Sequence, residues 1–178
     1  MRILLVNGPN LQLLGMREPG IYGTGTLSEL EARLHGVALK LGVELECRQS
    51  NHEGDIIDWI GGMPGRFDGL LINAGGYTHT SIAIRDAIAG VRLPAVEIHI
   101  SNIFGREEYR RRSYIGEVAW AVVAGMGFDG YEFALRGLVS HLCPSSETVP
   151  IQMEIRNNGS EDRPQASADH GASWSDRS

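Results

Sequence analysis

The sequence has little of what marks a secreted, membrane-spanning or nucleic-acid-binding protein. Its 178 residues include only two cysteines, Cys47 and Cys143, too few for a disulfide framework and without the CxxC spacing of a zinc or redox site. No apolar run approaches the ~18 residues that span a membrane. A net charge of −6 does not favour nucleic-acid binding, and the chain begins without a signal-peptide pattern. We therefore expect a soluble, cytoplasmic protein with no nucleic-acid or membrane partner.

The motifs of several common enzyme classes are also missing. There is no GxxxxGK[ST] phosphate-binding loop, and Gly23-Thr-Gly25 lacks the third glycine of a dinucleotide fingerprint. No GxSxG turn is present to carry a nucleophilic serine. The loop after the first strand has no run of acidic residues, as a phosphoryl-accepting receiver domain would need. These absences argue against nucleotide-dependent, serine-hydrolase and phosphorelay chemistry.

The composition changes near Pro144. Residues 144–178 are mostly small and polar and contain six acidic residues against three arginines, a net charge of −3. Such a segment buries too little apolar surface to offset the entropy of ordering it. We expect one catalytic domain over residues 1–143 and a disordered polar tail over residues 144–178. Trp174 within that tail has no explanation.

Residues 1–143 alternate between strand and helix patterns. The predicted strands cover Arg2–Asn7, Val43–Arg48, Gly69–Asn73, Ala95–Ile100 and Val118–Gly125. The predicted helices start at a Thr26–Glu29 capping box, after Gly54, at Ser81, near Arg106–Arg111 and at Gly130. Five such units with buried strands predict an α/β protein with a parallel sheet between helical layers. The compact five-stranded form is the flavodoxin-like three-layer sandwich, with strand order 2-1-3-4-5.

The connection after the first strand, Asn7–Gly23, is unusually long. About 17 residues separate the strand from the next helical pattern, where a few would suffice. A long polar loop at the end of a central strand is usually disordered or an active-site lid. This one carries Arg17 and Tyr22, five positions apart. A cation near a phenol makes its proton easier to lose, so the loop is a candidate catalytic lid.

Hydrogen-bonding residues follow four of the five predicted strands. In a parallel sheet, ligands bind beyond the carboxyl ends of the strands, so these residues are expected to converge. The four segments are Asn7–Asn10, Gln49–Glu53, Asn73–Ser81 and Glu97–Asn102. Together they predict a pocket for a polyhydroxylated small molecule that is uncharged or carries one charge.

Each candidate residue also has a purely structural interpretation. Asn10 could be a turn residue, Asn73 a brace for its loop, and His99 a core histidine with a satisfied hydrogen bond. Asp86 could be an ion-pair partner on a helix surface, and Arg110 a solvated charge. A metal site formed by Glu97, His99 and His79 is conceivable, although nothing else supplies the usual ligand spacing. The functional interpretation gains weight because so many of these residues fall at one edge of the sheet.

Five sequence blocks resemble those of a known family. They are Asn7–Gly23, Gln49–Gly54, Ile72–Ser81, Glu97–Asn102 and Arg106–Ser113. In order and spacing they resemble the type II 3-dehydroquinate dehydratases, from residue 1 to about residue 143. The tail lies outside the resemblance, and Ala74-Gly75-Gly76 replaces a Pro-Gly-Ala often found in that loop of the family.

The resemblance implies a hydro-lyase that converts 3-dehydroquinate to 3-dehydroshikimate by anti elimination through an enolate. It implies no metal, no cofactor and no Schiff-base lysine, and it implies trimers that pack into homododecamers. The reaction could serve aromatic amino acid biosynthesis or quinate breakdown. A different cofactor-free lyase or hydrolase, or a flavodoxin-like module that only binds a small molecule, remains an alternative.

The resemblance also implies roles for individual residues. Tyr22 would be the base, with Arg17 stabilising its anion and the developing charge, and His99 would be the general acid. Asn10 would hold a water that stabilises the enolate, and Glu97 could orient the His99 imidazole. The implied substrate-binding groups are Asn73 with the backbone N–H groups of Ile100 and Ser101 for the carboxylate, and His79, Asp86 and Arg110 for the ring hydroxyls. In the family, the residue at the position of Asp86 tends to reach across from a neighbouring subunit.

Overall fold

The computed structural model describes residues 1–16 and 25–143, which contain a five-stranded parallel sheet. The strands are β1 Arg2–Asn7, β2 Glu44–Gln49, β3 Gly69–Asn73, β4 Ala95–His99 and β5 Ala121–Ala124. The helices are α1 Leu27–Leu41, α2 Glu53–Gly61, α3 Ile82–Val91 and α4 Gly127–Leu142. The strand order is β2-β1-β3-β4-β5, and all pairs are parallel. The predicted flavodoxin-like topology is confirmed.

The helix α1 begins and ends at the signals that its sequence carries. Thr26 Oγ1 accepts a hydrogen bond from the Glu29 N–H at 3.2 Å, and the Glu29 carboxylate accepts one from the Thr26 N–H at 2.8 Å. These reciprocal bonds satisfy two donors that a helix start otherwise leaves unpaired. At the other end Gly42 adopts φ 69°, a left-handed conformation that glycine reaches without strain.

Two hydrophobic cores lie on opposite faces of the sheet. Alternate residues of β1 point to opposite sides, so Ile3 and Leu5 pack in one core and Leu4 and Val6 in the other. The first core includes residues of α1 and α4, and the second includes residues of α2 and α3. The central strands β1, β3 and β4 are buried almost throughout, whereas the edge strands β2 and β5 are half-buried. This is the three-layer arrangement expected from the sequence.

The predicted helix around Arg106–Arg111 was wrong. Two short 3₁₀ turns occupy this region, Ile103–Gly105 and Glu108–Arg110, separated by an extended Glu107 with ψ 148°. The first turn is capped by Asn102, whose Oδ1 accepts from the Phe104 N–H at 3.1 Å. Runs of charged residues give this segment no apolar face with which to bind the sheet, so it remains irregular.

The predicted fifth strand is also shorter than expected. Residues 115–119 form a turn in which the N–H groups of Val118 and Ala119 both donate to the Ile115 carbonyl. The strand therefore begins only at Ala121, although the 118–125 segment is apolar. Apolar composition alone does not distinguish a buried turn from a strand.

Residues 17–24 and 144–178 lie outside the described residues. Arg17, Tyr22 and Trp174 are among them, so the lid and the disordered tail both stay predictions, as does the domain boundary at residue 143. Among the helices that are described, none has the length and apolar composition needed to cross a membrane.

Candidate active site

A pocket lies at the carboxyl ends of β1, β3 and β4, with a volume of about 170 Å³. This size suits a small molecule. The sequence-predicted residues that line it are Asn10, Asn73, His79, His99, Ile100, Ser101 and Arg110. The convergence expected from the strand ends is therefore observed for three of the four segments, because no residue of Gln49–Glu53 lines the pocket.

Two loops approach closely to form one wall of the pocket. A side chain at Gly8 would place its Cβ 2.5 Å from the Ala74 carbonyl oxygen, so only glycine fits there. Gly75 faces the Pro9 carbonyl and adopts φ 57°. These two glycines let the loop after β1 lie directly against the loop after β3.

Asn10 stands at the start of the long loop in a left-handed conformation, with φ 67°. Asparagine tolerates this conformation better than most residues other than glycine. Its backbone N–H donates to Asn51 Oδ1 at 2.9 Å, which ties the loop to the end of β2. The structural interpretation of Asn10 as a turn residue is thus correct, and Asn10 also lines the pocket.

Glu97 and His99 form a buried pair. Both side chains lie on the same face of β4, and His99 Nε2 is 2.9 Å from Glu97 Oε1. Because an ionised carboxylate only accepts, Nε2 carries the proton of this bond. Nδ1 is then the ring nitrogen that remains available to a ligand, and His99 lines the pocket. The expectation that Glu97 orients the His99 ring agrees with this contact.

The Glu97 carboxylate is completely buried, at 0% exposure, and is surrounded by donors. The hydroxyl groups of Thr78 and Ser113 donate to it, with Ser113 Oγ 2.8 Å from each carboxylate oxygen. Burial raises the pKa of Glu97, but the hydrogen bond and charge of His99 together with the two hydroxyl groups outweigh it and bring the pKa below its usual value. The pair is therefore held with an ionised carboxylate beside the imidazole.

His79 lies beside His99, with nearly parallel rings 6.4 Å apart. Its Nδ1 is 2.7 Å from the carbonyl oxygen of Arg112, so Nδ1 carries the proton. Burial is the main cause that lowers the pKa of His79, and the charges of His99 and Arg110 act in the same direction. A neutral His79 offers Nε2 as an acceptor, which suits a ligand hydroxyl.

A metal site formed by Glu97, His99 and His79 would need free nitrogen atoms on both histidine rings. One nitrogen of each histidine is already engaged in a hydrogen bond, to Glu97 and to Arg112 respectively. Across residues 1–16 and 25–143, no three His, Cys, Asp or Glu side chains are placed together to hold a metal ion.

Two arginines line the pocket. Arg110 was predicted there, and its guanidinium lies 3.3 Å from Glu107. Arg106 also lines the pocket, although the sequence indicated only a basic cluster around it. Asp86 does not line the pocket. It lies on α3, with its side chain 62% exposed and its carboxylate 3.0 Å from Arg85.

Sequence reasoning missed three polar residues that brace the site: Thr78, Ser113 and Tyr131. Tyr131 is fully buried on α4, and its hydroxyl contacts Asn7 and Asn73. The sequence did contain a sign of this role for Tyr131. An inward-facing tyrosine among the apolar residues of a predicted helix needs a hydrogen-bond partner. Thr78 and Ser113 fall inside the quoted sequence blocks, yet nothing local pairs either of them with Glu97.

Replacing Ser113 by alanine is expected to destabilise the fold, most strongly near neutral pH, where Glu97 is ionised. Glu97 loses a donor, so the free energy of unfolding at pH 7 should fall by about 1–3 kcal/mol. A depressed carboxyl pKa contributes stability above its unfolded-state value, and this stability is lost as the pH falls through the folded-state value. The variant raises that folded-state pKa, so acid unfolding should begin at a higher pH. Urea unfolding across a pH series measures both effects.

The matched control is Ser140→Ala, since Ser140 is exposed on α4. It should leave the free energy of unfolding within about 0.5 kcal/mol of the parent at every pH. Equal pH profiles for the two variants would mean that Ser113 does not stabilise the Glu97 carboxylate.

Comparison with known proteins agrees with this fold. The family model for dehydroquinase class II matches residues 1–139, and the chain belongs to that family. A 3-dehydroquinate dehydratase from Synechococcus sp. (strain CC9605) is 56% identical over 142 residues, covering 80% of this chain and 97% of its own.

Solved structures give the same result. A type II dehydroquinase from Butyrivibrio crossotus superposes with a TM-score of 0.76 at 44% identity, covering 78% of this chain and 97% of its own. One from Propionibacterium acnes gives a TM-score of 0.75 at 42% identity, covering 78% and 96%. The family resemblance read from the five sequence blocks is confirmed.

Proposed function

We propose that this chain is a hydro-lyase of the shikimate pathway that dehydrates 3-dehydroquinate to 3-dehydroshikimate. Family membership supports the reaction, since relatives such as the Synechococcus protein are named for it. The structural observation that carries the proposal is the buried Glu97–His99 pair, set in a pocket of amide, imidazole and guanidinium groups. That set of groups suits a polyhydroxylated ring acid.

The first step removes a proton from the carbon next to the ketone. Tyr22, as a phenolate, takes this proton, and the bonding electrons pass into an enolate. A phenol of reference pKa ~10 is an effective base near neutrality only if a cation lowers that pKa, and Arg17 is the proposed cation. Asn10 holds the water that stabilises the enolate oxygen. Both Arg17 and Tyr22 are proposed on the family motif, because they lie outside the described residues.

The second step expels the hydroxyl group on the opposite face. The enolate collapses, the carbon–oxygen bond breaks, and His99 delivers a proton so that water leaves. The ionised Glu97 stabilises the imidazolium that must exist before this transfer. The elimination needs no redox partner and no cofactor, because a proton acceptor and a proton donor account for all the atoms.

The remaining pocket residues bind the parts of the substrate that do not react. Asn73 and the backbone N–H groups of Ile100 and Ser101 hold the carboxylate. His79 accepts from a ring hydroxyl through Nε2, and Arg110 donates to another. These assignments agree with positions in the pocket and with the neutral state argued for His79.

The rival candidate is a module that binds the same molecule without converting it. An absorbance measurement distinguishes the enzyme from the binding module. Only the enzyme forms the conjugated enone, which absorbs in the ultraviolet, after 3-dehydroquinate is added. We expect a rise that scales with protein concentration. Saturable binding in calorimetry with no such rise would favour the binding module and overturn the proposed reaction.

We propose further that the chain works as a homododecamer built from four trimers. Asp86 supports this assembly, because a substrate-binding role for a residue outside its own pocket requires a neighbouring subunit. The edge strand β5 and its lead-in expose Val122 and Trp120 at 42% and 49%, which suits a subunit contact. Light scattering of the purified chain measures the assembly. A cytoplasmic location is proposed on the two free cysteines alone.

A further inference from the structure

A buried phenol contacts the pocket residue Asn73. Tyr131 belongs to α4 and is 0% exposed, yet its hydroxyl makes two hydrogen bonds. It accepts from Asn73 Nδ2 at 2.6 Å and donates to Asn7 Oδ1 at 3.1 Å. The contacts join α4 to the ends of β1 and β3, two of the three central strands whose ends form the pocket.

The direction of each bond is determined by its neighbours. The Gly75 N–H donates to Asn73 Oδ1 at 3.1 Å, so the Nδ2 of the same amide faces Tyr131. Burial raises the pKa of Tyr131, so the group stays a phenol and must place its own proton on an acceptor. That acceptor is Asn7 Oδ1. The Tyr131 oxygen therefore meets Asn73 only as an acceptor.

The consequence for the pocket concerns which end of the Asn73 amide a ligand can meet. The carbonyl oxygen accepts from the Gly75 N–H, and one Nδ2 hydrogen is donated to Tyr131. Asn73 lines the pocket, and its remaining Nδ2 hydrogen is the group left for a ligand. An amide restrained in this way presents a donor, which favours a carboxylate oxygen.

Packing of the core does not by itself explain why a tyrosine stands at position 131. The other inward residues of α4, Ala134, Leu135 and Leu138, are apolar, and a phenylalanine would fill the same space as Tyr131. Moreover, Asn7 Nδ2 is buried without a hydrogen-bond partner among the described residues. Unpaired buried donors reduce stability, so they are expected where a site requires them.

We infer that Tyr131 is a positioning residue for substrate binding, which holds the Asn73 amide with its N–H toward the carboxylate of the ligand. This inference rests on the proposed function, because it takes the ligand to be a ring carboxylate held by Asn73. Tyr131 itself touches no substrate. Its effect reaches the ligand through its hydrogen bond with the Asn73 amide.

The test is Tyr131→Phe, which keeps the ring and removes only the hydroxyl. The carboxylate takes no part in the chemistry, so its binding is equal in the ground and transition states. KM for 3-dehydroquinate should therefore rise roughly tenfold while kcat stays within about twofold of the parent. The affinity for quinate, in which an alcohol replaces the ketone, should fall by a similar factor in calorimetry.

Two controls separate positioning from general damage. Leu135→Val removes one buried carbon from the same core, and it should lower thermal stability without raising KM. In an Asn73→Ala background, Tyr131→Phe should produce no further rise in KM, because its effect passes through Asn73.

The outcomes distinguish this inference from the function on which it rests. A parent protein that forms no enone would overturn the proposed reaction. A parent that turns over, with a Tyr131→Phe variant of unchanged KM and quinate affinity, would overturn only the role of Tyr131. A full tenfold effect of Tyr131→Phe in the Asn73→Ala background would also overturn it, since the hydroxyl would then act by another route.

Discussion

Replacing Tyr22 by phenylalanine is expected to abolish turnover while leaving the binding of a substrate-like acid largely intact. The proton beside a ketone is weakly acidic, so its removal requires a strong base. Among the described residues that line the pocket, the imidazoles of His79 and His99 are the side chains that could act as a base. Both have other proposed roles, since the free Nε2 of His79 accepts from a ring hydroxyl and His99 protonates the departing hydroxyl. A phenolate from the long loop supplies the missing base.

The measurement pairs enone formation with calorimetric binding of quinate. If enone formation is lost while quinate binding is retained, Tyr22 acts in the chemical step. Phenylalanine preserves the ring and removes only the ionisable group. Tyr109→Phe is the matched control, since Tyr109 is 67% exposed and does not line the pocket, and it should keep the parental rate. Substantial turnover by the Tyr22 variant would refute the mechanism.

Replacing His99 by asparagine is expected to reduce kcat at least ~10²-fold, the scale of a lost acid catalyst. Asparagine is polar and can still donate to Glu97, so the buried carboxylate keeps a partner. It has no proton to transfer at neutral pH, so the hydroxyl must depart without assistance. A substituent that leaves as a more stable anion than hydroxide would reduce the defect, because such a group needs no proton.

His52→Asn provides the control for the second variant. His52 is exposed at the position before α2, where asparagine is a favourable helix cap, and it does not line the pocket. This variant should retain parental kcat and stability. A rate near the parental value for His99→Asn would remove His99 from the role of general acid and leave the Glu97–His99 pair as a structural feature.

The two experiments address the two halves of one elimination. Tyr22 acts on the carbon-bound proton and His99 on the departing hydroxyl, so loss of either leaves the other half in place. The Tyr22 variant should exchange no substrate proton with solvent, whereas the His99 variant should still exchange it. This difference would separate proton removal from departure of the hydroxyl. Exchange followed in deuterated buffer measures this difference.

Much of the fold could be predicted from the chain alone. Alternation of short apolar runs with amphipathic helices identifies the parallel sheet, and the right-handed crossover restricts the strand orders. The bounds of β1 and β3 were predicted to the residue, because Asn7 and Asn73 mark sharp changes from apolar to polar sequence. The cap at Thr26 and the end at Gly42 were equally local signals.

The same locality explains the errors. Around Arg106–Arg111 the charged residues were compatible with a helix, and only the absence of a packing partner made the segment irregular. The turn at Ile115 interrupts an apolar run whose composition permitted a strand throughout. In both places, packing on the rest of the fold, or the lack of it, decided between conformations that the local sequence allowed.

What the sequence determined by itself was the order of the elements and the set of polar groups at the carboxyl edge of the sheet. Periodicity and capping act over a few residues, so the chain encodes them directly. The tertiary structure alone decided which groups meet. Glu97 pairs with Thr78 and Ser113 across 19 and 16 positions, and Asn73 pairs with Tyr131 across 58. Hydrogen bonds over such separations depend on the exact docking of loops and helices on the sheet, which no local pattern contains.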